Sequence, residues 1–190
     1  MRKWYAIFVQ GAKEEDVMRR ILERFDRSSV YCCVPKRKVP EKKDGVVNAV
    51  IKPMFPGYVF LQIHMDFKTY YEIQAIPEVI KVLNYENKKD KQVSQGQGYE
   101  EMYFKSIPDE EMEHLIKLMD DKAIVDYSTV LMNNNVITIV SGPLKGMEGS
   151  IKKIDKHKKR AKLLLNFLGC EKLIDLGIEL LAPTPTSPIR

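Results

Sequence analysis

Between residues 150 and 162 the chain carries Lys152, Lys153, Lys156, Lys158, Lys159, Arg160 and Lys162, seven bases against the single acid Asp155. Cations at that density suit a polyanion, because each phosphate they neutralise releases condensed counterions. Aromatic interleaving is sparse. Single-strand binders stack bases on aromatic rings as well as neutralising phosphates, and here only Phe167 is near, alternating into the core. The run therefore fits the backbone and shape of a folded RNA better than a stacked single strand. Arg160, with its planar fork, is the best single candidate for a bidentate or base-edge contact. The bland alternative is a solvated hairpin tip, where most charge runs end up. A second basic stretch, residues 35–45, sets Lys36, Arg37, Lys38, Lys42 and Lys43 beside Glu41 and Asp44, and reads as a hairpin tip or mobile loop.

Catalytic chemistry has no comparable footing. His64, His114 and His157 are scattered, no glycine-rich phosphate loop precedes a helix, and no cysteine has an obvious base partner. Adjacent Cys32 and Cys33 in an extended stretch point to opposite faces and cannot comfortably hold one metal. With Cys170 they are expected to be reduced and structural. The expectation is a non-enzyme with no metal and no cofactor.

The 190 residues allow one large domain or two small ones, and 44% hydrophobic with 30% charged content indicates a soluble, globular chain. The longest apolar runs, residues 6–9 and 163–165, are far too short to cross a membrane. Met1-Arg2-Lys3-Trp4 enters a strand without an apolar signal region, so a cytoplasmic monomer with no membrane partner is expected.

Hydrophobic periodicity supplies the frame for these side chains. Residues 3–9 read as a central strand, 14–25 as a helix with Val17, Ile21, Leu22 and Phe25 on one face, and 29–34 as a second strand. Strands at 46–52 and 58–63 follow. Asp66 reads as the N-cap of a helix holding Phe67, Tyr70, Tyr71 and Ile73 that ends before Pro77, and 79–83 is a further strand. This β-α-β-β-α-β order is a split βαβ, ferredoxin-like pattern. Residues 84–105 are a polar insert, Ser106 to Asp109 resembles a capping box, and a helix bearing Met112, Leu115, Ile116 and Met119 follows. Residues 121–132 are expected to link this domain, 1–120, to a second one, 133–190. There Val136, Ile137, Ile139 and Val140 form a strand, Gly142, Gly146 and Gly149 wind a tight loop, and 151–154 and 161–167 return as strands. The expected fold class is α+β, a ferredoxin-like domain followed by a small five-stranded SH3-like β-barrel.

In the second domain the order Ile139-x-Ser141-Gly142-Pro143-Leu144-x-Gly146-x-x-Gly149-x-Ile151, led in by Val136 and Ile137, resembles the KOW motif. Lys3-Trp4-Tyr5 and Phe55-Pro56-Gly57-Tyr58-Val59 resemble the opening and the Phe-Pro-Gly-Tyr-Val signature of the NusG family of transcription factors. The conjunction spans nearly the whole chain. It implies that residues 1–120 are a NusG N-terminal (NGN) domain that binds RNA polymerase. In the family an apolar depression there holds the clamp helices of the largest subunit and suppresses pausing and termination. Trp4, Phe55 and Tyr58 map onto that depression, with Tyr5 nearby. Plain core packing is the other reading of these aromatics.

Three departures stand out. The family's Phe-Gly-Arg loop is replaced over residues 168–176, removing the aromatic and arginine that would reach termination factor Rho and a ribosomal protein. Pro-Gly-Glu before the barrel gives way to Asn133-Asn134-Asn135, and the insert 84–105 is added. The chain looks most like the LoaP-type antiterminators, a specialised subgroup, with a structured nascent RNA, such as a leader hairpin, as the partner of its KOW domain. A ribosome-associated KOW protein binding structured RNA is the rival; it leaves Phe-Pro-Gly-Tyr unexplained.

Overall fold

The computed structural model describes residues 1–83, 103–133 and 136–181. Most of the insert 84–105, and Asn134 and Asn135, lie outside them. In chain order the elements are β1 (Lys3–Val9), α1 (Glu14–Arg24), β2 (Tyr31–Cys33), β3 (Lys36–Lys43), β4 (Val46–Pro53), β5 (Tyr58–Ile63), α2 (Phe67–Gln74) and β6 (Val79–Leu83). After these come α3 (Asp109–Leu118), β7 (Ile124–Val125), β8 (Ser128–Asn133), β9 (Val136–Ser141), β10 (Ile151–Asp155), β11 (Arg160–Phe167) and β12 (Cys170–Leu181). The chain falls into two compact units.

The first unit comprises residues 1–36, 53–117 and 166–171. Its sheet has the order β2-β5-β1-β6, with every neighbour antiparallel, as the split βαβ pattern requires. Strand alternation sorts the side chains. Tyr5, Ile7 and Val9 of β1 join Val59, Leu61 and Ile63 of β5 in a core that also takes Val17 and Ile21 of α1 and Ile73 of α2. Trp4, Ala6 and Phe8 point the other way and pair across with Gln62, Phe60 and Tyr58. Glu14, Glu15 and Asp16 occupy the first turn of α1, where the helix dipole favours acids. Asp66 caps α2, its carboxylate accepting the Thr69 N–H at 2.7 Å. The capping box expected at Ser106 does not form as read. Ile107 instead bridges to Trp4, donating to its carbonyl at 2.7 Å, and α3 begins from the Pro108 carbonyl.

The second unit comprises residues 37–52, 118–165 and 172–190. Five strands run in the order β10-β11-β12-β8-β9, with β8 parallel to β12 and antiparallel to β9. Val39, Leu118, Val125, Val130, Ile139, Leu144, Ala161, Leu163, Leu165, Ile174, Leu176 and Ile178 are its buried apolar residues among those described. Residues 121–132, expected as a linker, carry β7 and nearly all of β8, because Thr129 to Leu131 pair on both sides. Residues 35–45, expected as a hairpin tip or loop, hold β3, the middle strand of a three-stranded sheet β4-β3-β7. Lysines and Pro40 hide this from composition; Val39, buried among them, marks the strand. Residues 168–176 are likewise not one loop. Leu168 and Gly169 turn with φ of 54° and 71°, a two-residue hairpin turn, and β12 starts at once.

Gly142 is needed where it stands. Its φ is +96°, and a Cβ there would sit 2.6 Å from Ser128 Cα. The backbone can then wind through residues 142–150 by short-range bonds, Lys145 N–H to Gly142 O at 3.1 Å and Met147 N–H to Leu144 O at 3.0 Å. The buried Ser128 hydroxyl accepts the Leu144 N–H at 2.9 Å and ties this loop to β8.

Candidate functional site

The aromatic set is built on one sheet face and one turn. Phe55, Pro56 and Gly57 bring the chain into β5 through a turn closed by Tyr58 N–H to Phe55 O at 3.1 Å. Gly57 has φ +83°, and a Cβ would meet the Phe8 ring at 3.0 Å, so this position demands glycine. Beyond the turn, Tyr58 lies 5.4 Å from Phe8 and stacks at 6.4 Å on Phe60, while Phe55 meets Phe60 edge-on at 5.7 Å. Trp4 is 5% exposed and packs edge-on against the exposed Tyr31, 5.6 Å away.

The face thus unites Trp4, Phe55 and Tyr58. Tyr5 does not join them: strand alternation turns it into the core beneath α1 and α2. Phe8, Tyr31 and Phe60 do belong, and alternation along β1 and β5 was the signal that could have named the first and last. Phe167, of the 166–171 segment in the same unit, stacks on Phe55 at 4.6 Å with planes 27° apart and meets Phe60 at 5.2 Å. Phe55 is left 9% exposed and Tyr58 half-buried.

The basic run lies in the second unit on β10, its turn and β11. Ile154 pairs with the buried Ala161, so Lys153, paired with Lys162, and Asp155, paired with Arg160, lie on the opposite face of the hairpin. Register shifts between Ile151 and Lys153, and Lys152 and Lys153 are both exposed. Asp155 accepts the Lys158 N–H at 2.9 Å; that bond holds its carboxyl below the usual value and makes the one acid of the run a turn former. Lys159 takes φ 49°, and its carbonyl accepts the Ile178 N–H at 3.0 Å. Lys152, Lys153, Lys156, Lys158 and Lys159 are exposed and form no ion pair among the described residues.

Arg160 and Lys162 are placed differently. Arg160 is only 21% exposed at its side chain, donates from Nη2 to the Pro40 carbonyl at 2.7 Å, and stands 3.6 Å from Glu41. Its fork is committed to β3. Lys162 pairs with Asp175 at 3.1 Å. Lys38 pairs with Asp126 at 3.0 Å and lies over the Tyr127 ring, and Arg37 donates to the Asp175 carbonyl at 2.7 Å. Of the basic stretch at 35–45, then, Lys42 and Lys43 remain as exposed cations without an ion pair among the described residues. No group of three metal-binding side chains occurs among the described residues.

A β-α-β-β-α-β sheet unit with a Phe-Pro-Gly-Tyr turn, joined to a five-stranded unit with a cationic hairpin, defines the class. The family model described as "Transcription termination factor nusG" matches residues 2–116, more than half of the chain, and the chain belongs to the NusG family of transcription factors. It is 21% identical over 182 residues to the transcription termination/antitermination protein NusG of Helicobacter pylori, covering 93% of this chain and 95% of that protein. The Bacillus subtilis protein of the same name is 24% identical over 180 residues, covering 92% and 94%. A solved structure titled "Domain interaction in Thermotoga maritima NusG" covers 93% of this chain and 94% of its own at 20% identity, with a TM-score of 0.49. No described helix is long and apolar enough to cross a membrane.

Proposed function

We propose that this chain is a transcription elongation and antitermination factor that docks on RNA polymerase through its aromatic face and holds structured nascent RNA on its cationic hairpin. The observation that carries the reading is the convergence of Trp4, Phe55 and Tyr58 on one sheet face around the Phe-Pro-Gly-Tyr turn. Aromatic side chains gathered with a polar tip at the rim suit a protein interface, where Tyr and Trp bury large apolar area and keep a hydrogen-bonding end. The clamp helices of the largest polymerase subunit are the proposed partner. A helix packed there would take the place of Phe167 against Phe55.

For RNA the proposed contacts are Lys152, Lys153, Lys156, Lys158 and Lys159, with Lys162 able to join by exchanging Asp175 for a phosphate. Arg160 supports them by fixing β11 to β3. A specialised, LoaP-like role follows from the altered residues 168–176, and no partnership with Rho is assigned. Copurification of the tagged chain from cell extract tests the whole reading: core polymerase subunits should come with it. Recovery with ribosomal subunits alone would instead make this a ribosome-associated RNA binder.

A further inference from the structure

We propose that Glu14 is the positioning residue of the docking face: its buried carboxylate holds the Phe55–Tyr58 turn in the shape that sets both aromatic rings on that face. The inference rests on Phe55 and Tyr58 being polymerase-docking side chains. Glu14 opens α1 yet is only 5% exposed, unusual for a carboxylate. Among the described residues it forms no ion pair. Its carboxylate accepts the Gly57 N–H at 2.6 Å, across 43 residues of sequence.

An apolar side chain could fill the same space without the desolvation cost, so the hydrogen bond, rather than packing, is what the carboxylate supplies. A charged acceptor makes that bond roughly twice as strong as a neutral one, and the α1 dipole favours the charge at this end. The Gly57 peptide is held from its other side too, its carbonyl accepting the Val9 N–H at 2.8 Å. With φ at +83° and the Phe8 ring only 3.0 Å from where a Cβ would stand, the turn has little freedom left once Glu14 grips it. Tyr58 follows directly, and Phe55 closes the same turn.

The test uses the full chain, purified core RNA polymerase and six proteins: wild type, Glu14→Gln, Glu14→Asp, Tyr58→Ala, Phe55→Ala and the Glu14→Gln/Tyr58→Ala double variant. Polymerase affinity is measured beside Gly57 amide exchange. Glu14→Gln should speed that exchange and weaken binding about tenfold. Added to Tyr58→Ala it should weaken binding by clearly less than it does alone, because both act through one turn and only Phe55 is left for Glu14 to place, whereas a general loss of stability would add in full. Glu14→Asp keeps the charge but withdraws the oxygens by one methylene, and should weaken binding in the same way even where Glu14→Gln folds poorly. Additive losses, or full affinity in both Glu14 variants while Tyr58→Ala is impaired, would overturn the positioning role and leave docking intact. Full affinity in Tyr58→Ala and Phe55→Ala would overturn docking itself, and this role with it.

Discussion

Asp66 shows how much one side chain settles locally. The Thr69 N–H bonded to its carboxylate holds its pKa below the ordinary 3.8, and a depressed folded pKa stabilises the fold above 3.8. That contribution is lost as pH falls below 3.8 towards the folded value, and the Ser28 and Lys158 N–H bonds shift Asp26 and Asp155 the same way. Melting temperature should therefore fall as the medium is acidified through this window. Asp66→Ala should cost about 1 kcal/mol at neutral pH, a typical N-cap loss, and flatten part of the acid decline in circular-dichroism melts. The cysteines give a second check. Burial pushes the Cys33 thiol up to about 12 and raises Cys32 well above its usual range, while Cys170 is exposed. Alkylation at pH 8 followed by mass spectrometry should find one adduct, at Cys170, on the native chain, and three after denaturation. The Asp66 cap was legible in sequence because its partner is three residues away. Glu14 was not, because an acid in the first turn of a helix already has a local explanation, and Gly57 is far along the chain.

Among the elements, strands with clean alternation were legible and those masked by charge were not. β1, β5 and β11 announced both their faces, whereas β3 hid under its lysines and β12 under an expected loop. The same limit touched the candidate site. Counting charges on β10 and β11 found the cations, but only tertiary packing separates Arg160, bound to Pro40, from five lysines in solvent. That distinction is measurable. With three to five phosphate contacts, the slope of log K for RNA against log salt should be about −2 to −4.5. Lys158→Ala or Lys159→Ala should reduce the slope by about one and weaken all RNAs alike. Arg160→Ala should leave the slope nearly intact and cost stability instead, by about 1.5–3 kcal/mol for a charged hydrogen bond. Anisotropy titrations over a salt series, paired with denaturant melts, compare the two. An affinity indifferent to salt would return the run to being a solvated hairpin.

At the scale of the molecule, two units carry two proposed grips, one apolar and one cationic, and the family relationship joins them to transcription. Chemistry divides the work: aromatic burial suits a protein surface, and exposed lysine suits phosphate. The fold class was legible because the order of helices and strands restricts topology to a few choices. The unit boundaries were less so, since the hairpin of β3 and β4 lies early in the chain yet clusters with the later strands. The most direct measurement is transcription in vitro through an intrinsic terminator, with purified polymerase and a template encoding the RNA leader. Wild-type protein should raise read-through, and Tyr58→Ala should abolish the gain while melting as a folded protein. Read-through by Tyr58→Ala equal to that of the wild type would contradict docking through the aromatic face.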